Sequence, residues 1–285
     1  MPIYKETYRN WYGRLKENPL TWWVIGKTGI RLVMRKSKAL MILLFIASSI
    51  PFFVKAVQIY LVSRVGESSQ IMQGLGGLKI NTDFFAGFLQ GQMFFAILVI
   101  ILTGAGLIAQ ERKYKALSVY FSKPVTFWDY VGGKFLVISF YGSLVTLLPG
   151  LILFFIKALL SNDLTFLKTY YWIPLSMLAY VIVIITALGG LILALSSAAK
   201  GTGSAAVVFI VILMFPDILS KILSRIPEIG IFSIQSSLKQ TGAFFFGIEL
   251  PYDFAVHWGI VMLVGVVVLS YILLQRKIKP TEVIK

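Results

Sequence analysis

Hydrophobic residues gather into six stretches, at about 39–62, 84–109, 135–158, 172–197, 204–222 and 255–275, separated by more polar segments. Each approaches or exceeds the roughly 20 residues with which a helix crosses a hydrocarbon core of about 30 Å. The pattern predicts an all-α, polytopic membrane protein with six transmembrane helices. The first stretch begins only at Ala39, after a basic polar segment, which does not fit a cleaved signal peptide. Lys55 would lie about 24 Å along that helix, near the far interface, where its long stem can snorkel.

Two segments between and before the spans carry their own pattern. In residues 18–38, Asn18 as N-cap and Pro19 at the first helical position predict a helix start. Lys27, Arg31 and Arg35 then form one cationic stripe, while Leu20, Trp22, Trp23, Ile30 and Met34 supply apolar bulk. Such a helix is expected to lie in the membrane plane, with Trp22, Trp23, Lys27, Arg31 and Arg35 at the interface. Gly26-Lys27-Thr28 resembles the end of a phosphate loop, but Thr21 stands where the first glycine is required and no strand precedes it. Gly201-Thr202-Gly203 with Ala206 imitates a dinucleotide fingerprint, yet it opens a span, where small residues are expected to serve helix packing.

The segment between the second and third spans, 106–134, is the most informative. Tyr114, Leu117, Tyr120 and Phe121 fall on one face of a predicted short helix, opposite Arg112 and Lys115. Ser122-Lys123-Pro124 ends it, because the residue before proline avoids helical geometry. A second helix is expected to restart at Thr126, with Asp129 completing a capping box. A mere connector needs no aromatic face, and an exposed apolar patch of this kind marks a protein contact. The outer segment 223–254 is long, and its apolar pieces, broken by Pro227, Gly230, Gly242, Gly247 and Pro251, predict re-entrant or surface-lying helices.

Composition narrows the chemistry. The chain has 285 residues, 58% hydrophobic and only 14% charged, too few ionic side chains to cover a soluble globule. Cysteine is absent and there is one histidine, His257, placed at the start of the sixth span, so no metal site is expected. Nineteen of the 27 basic residues but five of the 12 acidic ones fall on the side holding both termini. The positive-inside rule predicts that this side is cytoplasmic. Basic residues placed beside spans are accounted for by topology and anionic lipid, so no nucleic-acid partner is expected. Within the spans, Asp217 and Lys221 are spaced to pair. Gln90, Gln92 and Thr103 are possible pathway residues, beside Gly87 and Gly91, which are expected to pack helices.

The run Glu111-Arg112, Ala116-Leu117, Tyr120-Phe121-Ser122-Lys123-Pro124-Val125, Tyr130 and Gly133-Lys134 resembles the signature of ABC transporter permease subunits of the second exporter class. Lys115 departs from it, since the family usually has glycine or a small polar residue there. The resemblance implies a non-enzymatic permease, driven by a separate ATPase that docks on the coupling loop 110–134 through Glu111, Arg112, Tyr114, Lys115, Leu117, Tyr120, Phe121 and Pro124. It further implies two ATPase copies holding ATP and Mg, a second permease subunit (the same or a different chain), no cofactor on this chain, and the plasma membrane of a prokaryote. The domain plan is then an N-terminal cytoplasmic segment 1–38, a transmembrane domain 39–275 with outer loop 223–254, and a cytoplasmic tail 276–285. Two rival readings are a non-transporting subunit that relays ATPase motion to a partner, and a membrane lipid-modifying enzyme. The second lacks the gathered acids, histidines or nucleophile that such a site needs.

Overall fold

The computed structural model describes residues 20–65, 79–116, 125–161, 165–223 and 227–278. Six helical runs in it are long and apolar enough to cross a membrane: Lys38–Arg64, Thr82–Lys113, Phe127–Leu160, Thr165–Ala198, Thr202–Ile222 and Val256–Lys277. No strand occurs among the described residues. The six-span expectation therefore holds. Asn18 and Pro19 lie outside the described residues, and the described helix α1 runs Thr21–Lys36. It is followed by α2 (Lys38–Val65), α3 (Thr82–Gly104), α4 (Ala109–Lys113), α5 (Phe127–Val145), α6 (Leu147–Leu160), α7 (Thr165–Tyr170), α8 (Ile173–Ile184), α9 (Gly190–Ala198), α10 (Thr202–Ile222), α11 (Ile234–Phe246) and α12 (Val256–Lys277).

The second and fourth spans form the middle of the bundle, with 61% of each apolar window buried against 11% for the first and 22% for the fifth and sixth. Close approach of the neighbouring spans here depends on small residues, as packing between helices in lipid generally does. A Cβ on Gly104 of α3 would stand 2.6 Å from Ile192 of α9, and one on Gly189, in the π turn Ile185–Gly189 that joins α8 to α9, 3.1 Å from Ile138 of α5. Between the first two spans, Pro51 takes one donor out of the α2 ladder. Close by, the buried Gln92 amide donates to Ser48 O at 2.9 Å, holding α3 against α2. Lys55 has a partner within the protein: its ammonium lies 4.3 Å from the centre of the Phe84 ring.

On the face where α1 lies, that helix packs on α5 through glycines. A Cβ on Gly26 would come within 2.5 Å of Leu136, one on Gly29 within 2.6 Å of Val137, and one on Gly133 within 2.8 Å of both Ile25 Cβ and the Trp22 carbonyl. Tyr141 of α5, fully buried, donates to Ile30 O at 2.8 Å. Gly26 therefore serves a helix crossing, and the polar face carrying Lys27, Arg31 and Arg35 is left exposed. At the opposite face, α11 is sunk among α8, α10 and α12, with Gly242 against the Tyr180 ring. Gln240 clamps the following turn, donating to Tyr252 O at 3.0 Å and Phe254 O at 2.6 Å and accepting from Tyr252 N at 3.2 Å. Asp217 and Lys221 pair at 2.8 Å, as their spacing predicts.

Gly133→Val should force α1 off α5, because a backbone carbonyl and a β-branched Cβ cannot yield as a side-chain tip can. The expected loss is about 1–3 kcal/mol, read as a lowered thermal unfolding midpoint in detergent. Gly132→Ala, with nothing within 4 Å of its added carbon, should not lower it.

Candidate coupling site on the basic face

The end of the second span is broken and repaired by one side chain. Helix α3 stops at Gly104, and α4 starts at Ala109. Where a helix ends, its backbone groups lose their intrahelical partners. Ser196 of α9 supplies substitutes: its fully buried hydroxyl accepts from Ile108 N at 3.1 Å and Ala109 N at 3.0 Å, and donates to Ala105 O at 2.9 Å. The short helix is thereby tied to the fourth span. Arg112 adds a second tie, donating to Ser197 O at 2.6 Å, and Gln110 a third, donating to Thr202 Oγ1 at 3.1 Å at the head of α10.

Glu111 turns inward. Its carboxylate meets the Lys134 ammonium in a salt bridge and accepts from the Tyr130 hydroxyl at 2.6 Å. Lys134 is only 4% exposed and Tyr130 fully buried. An ammonium so enclosed is tolerable only with a charged, hydrogen-bonded partner. The motif ends Glu111 and Gly133-Lys134 thus have physical tasks: the two charges close the loop across its base, and Gly133 admits α1 beside them. The far arm is fixed by the expected capping box, in which Asp129 N donates to Thr126 Oγ1 at 3.1 Å and Thr126 N to Asp129 Oδ2 at 3.2 Å. Trp128 stacks on Tyr271 of the sixth span with ring centres 5.4 Å apart.

The profile of a family described as ABC-2 family transporter protein matches residues 22–277. The chain belongs to that family. No curated protein matches it. As an ABC-2 transporter protein it is an integral membrane permease component of an ABC transporter, a family that works with an ABC ATPase.

Within this ABC-2 protein the residues singled out from sequence separate into groups. Leu117, Tyr120, Phe121 and Pro124 lie outside the described residues. Tyr114 is 75% exposed, and Lys115 is exposed beside it. Helix α4 ends at Lys113, and Lys115 has φ 55, so the predicted helical face does not run unbroken from Tyr114. Glu111 faces the protein rather than a rim, and Arg112 is exposed while holding Ser197. Trp22, Trp23, Lys27, Arg31 and Arg35 are all exposed along α1. Gln90, Gln92 and Thr103 do not converge: Gln92 is buried against α2, Gln90 is half-buried, and Thr103 donates back to Val99 O at 2.7 Å.

The glycines fare differently from the packing expectation. Gly87 and Gly91 are exposed with nothing within 4 Å of an added Cβ, and Gly201 and Gly203 also meet nothing. Gly201 instead caps α10, its N–H donating to Ser204 Oγ at 3.3 Å. Sequence reasoning missed Ser196 and Ser197 altogether; a small hydroxyl pair at the end of an apolar span was the available signal.

Removing one partner of the base pair should cost more than removing both. Lys134→Met alone strands a half-buried carboxylate and should lose about 3–5 kcal/mol, whereas Glu111→Leu with Lys134→Met should recover much of it, measured by thermal or denaturant unfolding. Lys115→Gly should raise stability by up to about 1 kcal/mol in the same assay, since a left-handed φ penalises any side chain with a Cβ.

Proposed function

We propose that this chain is the transmembrane half of an ABC exporter, pairing with a second permease subunit, identical or related, and driven by two ATPase subunits that dock on the loop between the second and third spans. The reading rests chiefly on how the base of that loop is lashed. Ser196, Arg112, Gln110 and the Glu111–Lys134–Tyr130 cluster join it to the third, fourth and fifth spans. A push on the loop would therefore move these spans together rather than bend a flexible strap. Beyond the base, the chain offers exposed Tyr114 and a hollow of about 240 Å³ lined by Arg112, Lys113 and Lys200, an aromatic anchor with a polar edge.

The same reading puts the basic face in the cytoplasm, in a prokaryotic plasma membrane, with both termini there. ATP and Mg would be held by the partner alone, and this chain would carry neither cofactor nor catalytic group. The exposed Gly87 and Gly91 would let a second permease subunit approach the second span closely, as small residues spaced by four do in lipid.

Co-purification with an ATPase encoded beside it tests the docking. Leu117→Asp, Tyr120→Asp, or Lys113→Glu with Lys200→Glu should each weaken association by more than about tenfold, because each buries or opposes a charge at the contact. Undiminished association in all three would refute the docking assignment.

A further inference from the structure

A crevice of about 350 Å³ opens on the basic face between α1 and the joint that links α3 to α4. One part of its wall is apolar, built from Leu32 and Val33 of α1 and Leu102 and Leu107 at the end of the second span. The rest is polar, with Lys36 and Ser37 where α1 turns into α2, together with Thr103, Gln110, Tyr114 and Thr202. Glu111 is the acidic group in this wall, and its charge is matched by Lys134. Lys36 therefore leaves the crevice with a net positive charge. The flanking Arg31, Arg35 and Lys38 are exposed and basic as well.

We propose that this crevice holds one anionic phospholipid, its phosphate on Lys36 and Ser37 and its glycerol and first acyl carbons along Leu32, Val33, Leu102 and Leu107. Three observations choose this occupant. The wall combines apolar side chains with an exposed cation, as a lipid combines acyl chains with a phosphate. The volume sits at the lower end of the range for small-ligand pockets, about 300–1,000 Å³, enough for the neck of a lipid with its tails left in the bilayer. The site lies against a helix whose exposed tryptophans and cationic stripe suit the head-group layer. The bound lipid would bridge α1 to the base of the loop, filling the space beside the Glu111–Lys134 pair. The inference concerns binding by this chain alone and does not depend on the ATPase-docking reading.

The test is native mass spectrometry of the full chain, purified in mild detergent and titrated with phosphatidylglycerol or phosphatidylcholine. The wild type should retain one phosphatidylglycerol in preference to phosphatidylcholine. Lys36→Gln should cut that occupancy about fivefold, the factor one lysine contributes near an anionic head group. Leu32→Asp, at an exposed position, should cut it at least as far. Lys38→Gln, which removes an equal charge two residues away outside the crevice, should change it little. Equal retention of the two lipids, an equal effect of Lys36→Gln and Lys38→Gln, or displacement of the lipid by glycerol 3-phosphate alone would each overturn the proposal. Unchanged thermal unfolding midpoints confirm that the three substitutions, all at exposed positions, leave the fold intact.

Discussion

One enclosed ion pair holds the basic face together. Lys134 is almost fully buried, at a depth where an ammonium costs several kcal/mol to strip of water, and Glu111 is the group that offsets this cost. The pair spans the base of the loop between the second and third spans, so the two arms cannot separate without exposing an unpaired charge to a poorly solvating interior. Tyr130 takes the second carboxylate oxygen and fixes the direction of approach. A hydrophobic pair of similar size could bind as tightly but would tolerate sliding. The two-point, charged contact specifies a register.

The other ties serve the same joint. Ser196 supplies hydrogen bonds where α3 and α4 fail to supply their own, which lets the second span break without leaving buried backbone groups unpaired. Gly133 brings the α1 backbone within reach, and Tyr141 secures it from farther along α5. Four separate stretches of chain thus meet around a few polar side chains in a region whose remaining contacts are nondirectional apolar packing. Family membership makes this chain a permease component, and the geometry gives that component a closely tied joint beside exposed, cationic surfaces.

The two faces of the bundle are built on different chemistry. Opposite this joint, α11 is sealed by serines, Gln240 and the Asp217–Lys221 pair, a set of mainly neutral hydrogen bonds that close the connecting segment against the spans. On the basic face, cations outnumber the acids that could pair with them, and Lys27, Arg31, Arg35, Lys36, Lys38, Lys113 and Lys200 remain exposed. Excess charge of one sign there favours contact with anionic surfaces over self-association of the segment.

The number of spans, a helix ahead of the first span and the capping box at Thr126 were legible in the sequence, because each follows from contacts within a few residues or from the apolar length of one segment. The motif residues were also legible as a set. Their partners were not. Glu111 lies 23 positions from Lys134, and Ser196 lies 91 positions from the carbonyl it binds, so only the folded bundle could bring them together. Gly26 and Gly87 show the same limit from the other side: both read as small residues in a helix, yet one is pressed into α5 and the other faces outward. Periodicity says which residues share a face. Which neighbour that face meets is decided by the packing of distant segments, and that is a property of the tertiary structure alone.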